Sequence, residues 1–203
     1  MGRVRDGEIL IATTNAGKLR EIVRILDGLP IALKTLADFP RVAVAEETGS
    51  SFSENARQKA LYYAGVTGML TMAEDSGFEV DALNGDPGIH SARYLREDAT
   101  YDERFSDIYR RWRESASGDR SARFVCALAV AHRGDVMFET TAYVNGLLAG
   151  KPAGSNGFGY DPIFWYPAYG RTFGEVSDDE KTAVSHRGQA IRAFRDYLRT
   201  RPR

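Results

Sequence analysis

The stretch Glu8-Ile-Leu-Ile-Ala-Thr-Thr-Asn-Ala-Gly-Lys18, together with the segment that follows it, decides the fold class. Residues 8–12 are a short apolar run of the kind that forms a buried β-strand. After the polar loop 13–18, apolar residues recur at the i, i+3, i+4, i+7 spacing of an amphipathic helix, namely Leu19, Ile22, Val23 and Leu26. This strand–loop–helix unit predicts an α/β protein.

Helix starts recur further along the chain. Three segments have the pattern of a capping box, which predicts a helix beginning at each of them: Ser51-Phe-Ser-Glu54, Thr100-Tyr-Asp-Glu103 and Ser177-Asp-Asp-Glu180. We expect the first of these helices to run to about Gly65. A last helix is predicted near the end of the chain, with one apolar face made of Ala190, Ile191, Phe194 and Leu198.

Strands are predicted between these helices. Residues 69–73 form one strand, which ends at Glu74-Asp-Ser-Gly77, and residues 78–82 form a separate short one. The long segments 123–131 and 136–148 flank a turn at residues 133–135, which is the pattern of a β-hairpin. Strands that alternate with helices, then a hairpin and a helix, predict an α/β fold with a mixed sheet, in a single domain over residues 1–203.

The composition excludes several classes of protein. Hydrophobic residues make up 43% of the chain and charged residues 27%, which argues against a disordered protein. The 27 basic and 28 acidic residues leave a net charge of −1, so the chain has no bulk electrostatic attraction to nucleic acid or to an anionic membrane. The longest apolar run, residues 124–131, is too short to cross a bilayer. Because Cys126 is the only cysteine, no intramolecular disulfide can form, and we expect a cytoplasmic protein.

Two kinds of polar segment are candidate phosphate and metal sites. The loop 13–18 precedes a helix, whose first amides and positive dipole end favour phosphate, and Lys18 adds a positive charge. The acidic pairs are Glu46-Glu47 and Glu74-Asp75, and the second follows an apolar strand, where open α/β sheets bind ligands. Carboxylate oxygens are the protein ligands that Mg²⁺ takes. Taken singly, these segments are also compatible with an ordinary turn and with solvated acidic loops.

Lysines and aromatic residues add further candidates. Only five of the 27 basic residues are lysines, and Lys59 lies one helical turn after Asn55, so both side chains can face one site. In a Gly-rich segment, the rings of Phe158 and Tyr160 either stack on a planar base or fill the core. The segment Lys181-Thr-Ala-Val-Ser-His-Arg187 gathers several hydrogen-bond donors near a predicted helix start.

In this order along the chain, seven motifs resemble the inosine triphosphate pyrophosphatase family: Thr13-Thr-Asn-Ala-Gly-Lys18, Glu46-Glu-Thr-Gly49, Phe52-Ser-Glu-Asn-Ala56, Glu74-Asp-Ser-Gly77, Pro87-Gly-Ile-His-Ser-Ala-Arg93, Gly157-Phe-Gly-Tyr-Asp-Pro162 and Ser185-His-Arg187. The resemblance spans roughly residues 9–198. It implies an elongated mixed β-sheet flanked by helices, in two lobes with an intervening cleft, and it implies a homodimer. Glu74 departs from the pattern, because many members of the family have aspartate there.

The resemblance implies an enzyme, a nucleoside triphosphate pyrophosphohydrolase. With Mg²⁺ as cofactor, it would hydrolyse non-standard purine nucleoside triphosphates such as ITP, dITP and XTP to the monophosphate and pyrophosphate, which cleanses the nucleotide pool. Two alternatives stay open at this point. One is a Maf-type pyrophosphatase that acts on pyrimidine or modified nucleotides, and the other is a nucleotide sensor that does not hydrolyse its ligand.

The resemblance also assigns roles to single residues. Asp75 would accept the proton of the attacking water and would bind the metal together with Glu46. The residues implied to bind substrate are Thr13, Thr14, Asn15, Ala16, Gly17, Lys18, Lys59, Ser76, Phe158, Gly159, Tyr160, Asp161, Lys181, His186 and Arg187. The first six of these would hold the triphosphate, and the last three would recognise the base.

Overall fold

The computed structural model describes residues 7–200. The strands in this part of the chain are β1 (Glu8–Ile11), β2 (Ala32–Thr35), β3 (Thr71–Val80), β4 (Ser121–His132), β5 (Asp135–Leu148), β6 (Phe164–Tyr166) and β7 (Arg171–Thr172). The α-helices are α1 (Ala16–Leu26), α2 (Phe52–Thr67), α3 (Tyr101–Glu114), α4 (Asp178–Val184) and α5 (His186–Thr200). No helix between residues 7 and 200 is long and apolar enough to cross a membrane.

The strands form one seven-stranded sheet in the order β2-β1-β3-β4-β5-β6-β7. Strand β1 runs parallel to both of its neighbours, whereas β6 is antiparallel to both β5 and β7. A strand with parallel partners on both edges is covered by helices on its faces, which explains the unbroken apolar run in β1. The predicted α/β fold with a mixed sheet is therefore confirmed.

The described residues form two compact units. Unit 1 comprises residues 7–75, Cys126–Ala142 and 187–200, and unit 2 comprises Ser76–Val125 and Tyr143–His186. The limits of the units fall inside β3, β4 and β5, so each of these three strands contributes residues to both. Each unit has a hydrophobic core of its own.

The core of unit 1 contains the apolar face of α1 and that of α5. Ile22, Ile25 and Leu26 of α1 are buried, but Val23 is 41% exposed. The prediction that Val23 belongs to the buried face is wrong, because the helix turns Ile25 inwards instead. In α5 the predicted face is confirmed, since Ala190, Ile191 and Phe194 are buried and Leu198 packs against the same cluster.

The core of unit 2 is rich in aromatic rings. Phe78 of β3, Phe124 of β4 and Phe164 of β6 contact one another, with ring centroids 4.9–6.2 Å apart. Ile108 of α3 is completely buried in the same cluster. Such edge-to-face and tilted ring pairs stabilise a core beyond the area that they bury.

Capping side chains start the helices where the sequence predicts. At Thr100 and Ser177 both halves of the capping box are present. At α2 only the first half forms, because Glu54 accepts hydrogen bonds from the amide and hydroxyl of Ser50 instead of from the Ser51 amide. Helix α2 also runs two residues past the predicted end, to Thr67, and Gly68 closes it with a φ of +69°.

The hairpin is confirmed, but the predicted break in the third strand is not. Arg133 and Gly134 both have positive φ, as a two-residue turn between antiparallel strands requires. Strand β3 runs without interruption from Thr71 to Val80, so residues 78–82 do not form a separate strand. Acidic residues such as Glu74 and Asp75 are uncommon in strands, but here both lie inside a buried strand, where Lys18 pairs with Glu74 and Lys59 and Asn55 contact Asp75.

Cys126 provides a simple test of the core around β4. The residue is completely buried, and this burial, reinforced by the negative charge of Glu74, raises the pKa of its thiol well above the ordinary value. Only the thiolate reacts with disulfide reagents. We therefore expect no reaction of the native chain with Ellman's reagent at neutral pH, and about one thiol per chain after denaturation in guanidinium. Rapid labelling of the native protein would contradict this packing.

Candidate active site

The loop 13–18 leads from β1 into the first turn of α1. The Ala12 amide donates a hydrogen bond to the Met72 carbonyl, which fixes the end of β1 beside β3. Asn15 is the N-cap of α1, and its side chain accepts a hydrogen bond of 3.0 Å from the Lys18 amide. Residues 14–16 are exposed. The predicted phosphate loop is thus a capped helix start that a ligand can reach.

Asp75 lies near the middle of β3 and faces α2. Its side chain accepts a hydrogen bond of 3.0 Å from Asn55 Nδ2, and its Oδ1 lies 3.6 Å from Lys59 Nζ. The Lys59 ammonium also donates a 2.6 Å hydrogen bond to Glu47. The structure therefore confirms that Asn55 and Lys59, one helical turn apart, face the same carboxylate.

Glu74 lies on the opposite face of β3, because successive side chains of a strand alternate. Its Oε1 is 2.8 Å from Lys18 Nζ, and its Oε2 is 3.6 Å from Arg187 Nη2 and 3.4 Å from Cys126 Sγ. Arg187 also donates a hydrogen bond to Glu21, which lies three residues after Lys18 on α1. Adjacent acidic residues thus belong to two different side-chain clusters of unit 1.

The two buried carboxyl groups are shifted in opposite directions. Burial raises the pKa of Asp75 above its ordinary value, although Lys59 and Lys18 oppose the shift. Burial would also raise the pKa of Glu74, but the charges of Lys18 and Arg187 outweigh it and hold this pKa well below the usual range. Burial lowers the pKa of Lys59, and the surrounding carboxylates more than reverse that effect. Asp75 is therefore the better proton acceptor of the two.

The predicted metal ligand Glu46 is exposed, whereas its neighbour Glu47 is the residue that pairs with Lys59. Between residues 7 and 200, no three or more His, Cys, Asp and Glu side chains are grouped so as to hold a metal ion. A magnesium ion commonly keeps several waters and takes one or two carboxylates together with substrate phosphate, so it does not require such a group.

Unit 2 contains a second buried charge pair, Asp161 with Lys181. The Lys181 ammonium lies 2.6 Å from Asp161 Oδ2 and 4.5 Å from the ring centroid of Phe158. The same carboxylate oxygen accepts a 2.7 Å hydrogen bond from the Phe158 amide. Gly157 has a φ of +71°, and a Cβ there would lie 2.1 Å from Asp161 Oδ2. The loop is therefore folded around this carboxylate.

The aromatic residues of this loop have different surroundings. Tyr160 is 4% exposed, stacks on Phe78 and donates a hydrogen bond to the Ser91 carbonyl. Of the two alternatives for its ring, stacking on a base or filling the core, the structure supports the second, and the implied contact of Tyr160 with substrate stays a prediction. Phe158 is half-buried, so it is the ring of the pair that a ligand can reach. The neighbouring Gly159 has a φ of +67°.

The remaining predicted base contacts are divided between the units. His186, in unit 2, is buried and stacks on Phe124, with ring centroids 4.8 Å apart. Arg187, in unit 1, is 2% exposed and is paired with Glu21 and Glu74. Ser76 is half-buried at the start of the unit 2 segment of β3. The pairing of Arg187 with two carboxylates favours a supporting role for it over a direct contact with a base.

Sequence reasoning gave no site role to three residues of the two clusters around Glu74 and Asp75. Glu21 and Cys126 were not candidates at all, and Glu47 was named only within an acidic pair of which Glu46 was assigned to the metal. Glu21 follows Lys18 at the i, i+3 spacing of one helix face, which was a usable signal. Nothing local in the sequence distinguishes Glu47 from its neighbour Glu46, and nothing around Cys126, the only cysteine, indicates that it contacts Glu74.

Comparison with known proteins places this geometry in a family. The Ham1 family model matches residues 9–197. A dITP/XTP pyrophosphatase of Geobacter sulfurreducens is 41% identical over 190 residues, which cover 94% of this chain and 96% of that relative. A dITP/XTP pyrophosphatase of Shigella flexneri is 41% identical over 194 residues, covering 95% and 98% of the two chains.

Solved structures agree with the sequence matches. The structure of a HAM1 protein from Coxiella burnetii superposes with a TM-score of 0.88 at 38% identity, over 96% of this chain and all of the other. A nucleoside-triphosphatase / dITP/XTP pyrophosphatase from Mycobacterium abscessus gives a TM-score of 0.72 at 38% identity, over 94% and 99% of the chains. The predicted resemblance is confirmed by matches in both sequence and structure over nearly the full length, and this chain belongs to the Ham1 family.

Proposed function

We propose that this chain hydrolyses ITP, dITP and XTP to the nucleoside monophosphate and pyrophosphate. The names of its relatives in the Ham1 family support the substrate class. The observation that carries the proposal is the buried carboxylate of Asp75, which is held by Asn55 and Lys59 and has a raised pKa. A proton acceptor of this kind suits the attack of water on a phosphoryl group.

In the proposed reaction, the triphosphate contacts the loop 13–18, Lys18 and Lys59. The two ammonium groups and the loop amides neutralise phosphate charge. Catalysis of phosphoryl transfer depends mainly on such electrostatic stabilisation and on positioning. Asp75 aligns the water and takes its proton as the bond between the α- and β-phosphates is cleaved. Ser76 is proposed to contact the substrate beside it.

The combined charge of the two clusters around Glu74 and Asp75 supports binding of a divalent cation. Three cationic side chains face four carboxylates, which are Glu21, Glu47, Glu74 and Asp75. Together the two clusters give a triphosphate no long-range attraction, although the loop amides and the Lys18 ammonium can still contact phosphate, and the hard oxygen donors suit Mg²⁺. Asp75 and Glu46 would hold the ion, which would neutralise phosphate charge and make the bound water more acidic.

Selectivity for the base is proposed to come from residues of unit 2. Phe158 offers a ring face, Lys181 and His186 offer donors, and Gly159 and Asp161 shape the loop. Hypoxanthine and xanthine carry a keto oxygen at position 6 that accepts a hydrogen bond, whereas adenine carries an amine there. Adenine would leave buried donors unpaired, and such mismatches discriminate strongly.

The reaction is tested by measuring pyrophosphate release from ITP, XTP, GTP, ATP, dTTP and UTP, in Mg²⁺ and in EDTA. We expect release from ITP and XTP only with Mg²⁺, and slow release from GTP and ATP. Equal cleavage of ATP and ITP would contradict the proposed base recognition. Preference for dTTP or UTP would point to the Maf-type alternative. A folded protein that binds ITP without releasing pyrophosphate would be a sensor.

Two further expectations accompany this proposal. The homodimer implied by the family resemblance is a prediction that light scattering at several protein concentrations tests. The cytoplasmic location is likewise a prediction, which fractionation of the source cells tests.

A further inference from the structure

We propose that Glu74 is a positioning residue, which holds the Lys18 ammonium at the phosphate loop and is not a metal ligand. The inference rests on the proposed function, because it assigns Lys18 to the triphosphate. Glu74 is the position of the motif Glu74-Asp-Ser-Gly77 at which many members of the family have aspartate. The evidence for the inference is a row of alternating charges within unit 1.

The row joins three elements through their side chains. Lys18 of α1 pairs with Glu74 of β3 at 2.8 Å, and Glu74 lies 3.6 Å from Arg187 at the start of α5. Arg187 in turn donates to Glu21, which belongs to the same helix as Lys18. The row therefore begins and ends on α1, and Glu74 is the member that connects the lysine to the other elements.

Burial differs sharply along this row. The side chains of Glu74 and Arg187 are each only 2% exposed, whereas that of Lys18 is 17% exposed. A lysine ammonium sits on a flexible four-carbon stem, and it samples many rotamers unless a partner holds it. Glu74 provides that partner from a rigid, buried strand. Arg187 balances its charge, so that the carboxylate stays ionised in the core.

Both oxygens of Glu74 already have partners on the protein. Lys18 lies against Oε1, and Oε2 faces both Arg187 and the thiol of Cys126. A metal ion at Glu74 would have to displace one of these contacts and leave a buried cation poorly compensated. Asp75, on the other face of β3, also has partners, but if a metal took its Oδ1 the Lys59 ammonium would keep its 2.6 Å hydrogen bond to Glu47. The smaller cost at Asp75 argues that the metal takes this carboxylate and not that of Glu74.

A positioning role and a simple charge effect predict opposite results. Glu74→Gln removes a negative charge near the phosphate loop, and on electrostatic grounds alone phosphate would bind more tightly. If Glu74 instead holds Lys18 in place, the same substitution weakens phosphate binding, because the ammonium is no longer directed to the loop. The sign of the change in affinity therefore separates the two roles.

The experiment is a double-mutant cycle of Glu74→Gln and Lys18→Gln. Pyrophosphate affinity is measured by calorimetry in EDTA, and KM for ITP is measured in Mg²⁺. We expect Glu74→Gln alone to weaken pyrophosphate binding and to raise KM by about 10- to 100-fold, as for the loss of a charge-assisted hydrogen bond. In the Lys18→Gln background, Glu74→Gln should have no further weakening effect. The Mg²⁺ concentration for half-maximal activity should stay within about twofold.

Two further variants test whether the effect is specific to the Glu74 carboxylate and whether it survives if Glu74→Gln does not fold. Glu79→Gln removes the charge of another β3 glutamate, whose partner Arg123 lies in unit 2, and we expect it to bind pyrophosphate within about twofold of the wild type. If Glu74→Gln does not fold, Glu74→Asp takes its place. It keeps the charge but is one methylene shorter, so we expect a smaller loss in the same direction.

Three outcomes would overturn the proposal. The first is tighter pyrophosphate binding by Glu74→Gln, and the second is an equal loss of pyrophosphate affinity on Glu74→Gln in the wild-type and Lys18→Gln backgrounds. The third is a rise of about tenfold or more in the Mg²⁺ concentration for half-maximal activity of Glu74→Gln. Failure of the proposed function is a separate result. It would show as a wild-type protein that releases no pyrophosphate from ITP, whereas the calorimetric cycle does not depend on turnover.

Discussion

The Asp75→Asn variant is expected to lose at least ~10²-fold in turnover of ITP, the lower end of what a general base contributes. Asparagine keeps the shape of the side chain and can still accept the hydrogen bond from Asn55, which is 3.0 Å long in the wild type. It cannot accept a proton from water, and it carries no charge to hold Lys59 or a cation. The substitution therefore removes the chemistry with little change in packing.

The measurement is kcat for ITP, with unfolding by urea as a check that the variant is folded. Asp81→Asn is a matched control, because Asp81 follows the same strand but is exposed, and we expect its turnover to be within about twofold of the wild type. Near-normal turnover of a folded Asp75→Asn protein would remove this residue from the role of base. The remaining acidic candidate in contact with Lys59 would then be Glu47.

The second large effect is expected on stability, in unit 2. Asp161→Asn should lower the free energy of unfolding by about 3–5 kcal/mol, the usual cost of removing one partner of a buried ion pair. The Lys181 side chain is 4% exposed, so its charge would be left in the core without the carboxylate of Asp161. The asparagine oxygen can still accept from the Phe158 amide, so the loss reports mainly on the charge.

Urea unfolding of the single and double variants measures this effect. Adding Lys181→Met to Asp161→Asn removes the uncompensated ammonium, and we expect it to recover most of the lost stability. Arg171→Gln is the matched control in the same unit, because it breaks an exposed pair with Glu180 and should cost at most about 1 kcal/mol. An effect below that size for Asp161→Asn would mean that the buried pair is not held as two charges.

Local signals predicted the start of most helices. Hydrogen bonds within a few residues determine a capping box, so the patterns at Thr100 and Ser177 could be identified without the fold. The same holds for the hairpin, where the two-residue turn at Arg133-Gly134 determines how its strands pair.

The sequence predicted less well the strands that depend on partners distant in the chain. Strands β6 and β7 are only three and two residues long, and they exist because they pair with β5 and with each other. The central part of β3 has the residues of a turn, yet buried partners in other elements keep it extended. Propensity is a weak guide wherever long-range contacts supply most of the stabilisation.

By itself, the sequence determined the fold class, the resemblance to a family and the set of polar residues proposed to carry the chemistry. Only the tertiary structure decided what each of them contacts. It assigned Lys59 to Glu47 and Asp75, placed Tyr160 in a core and joined Arg187 to Glu74. The physical reason is that burial and charge pairing depend on strand order and on which face of a strand a side chain occupies. Neighbours in sequence, such as Glu74 and Asp75, can therefore have opposite surroundings.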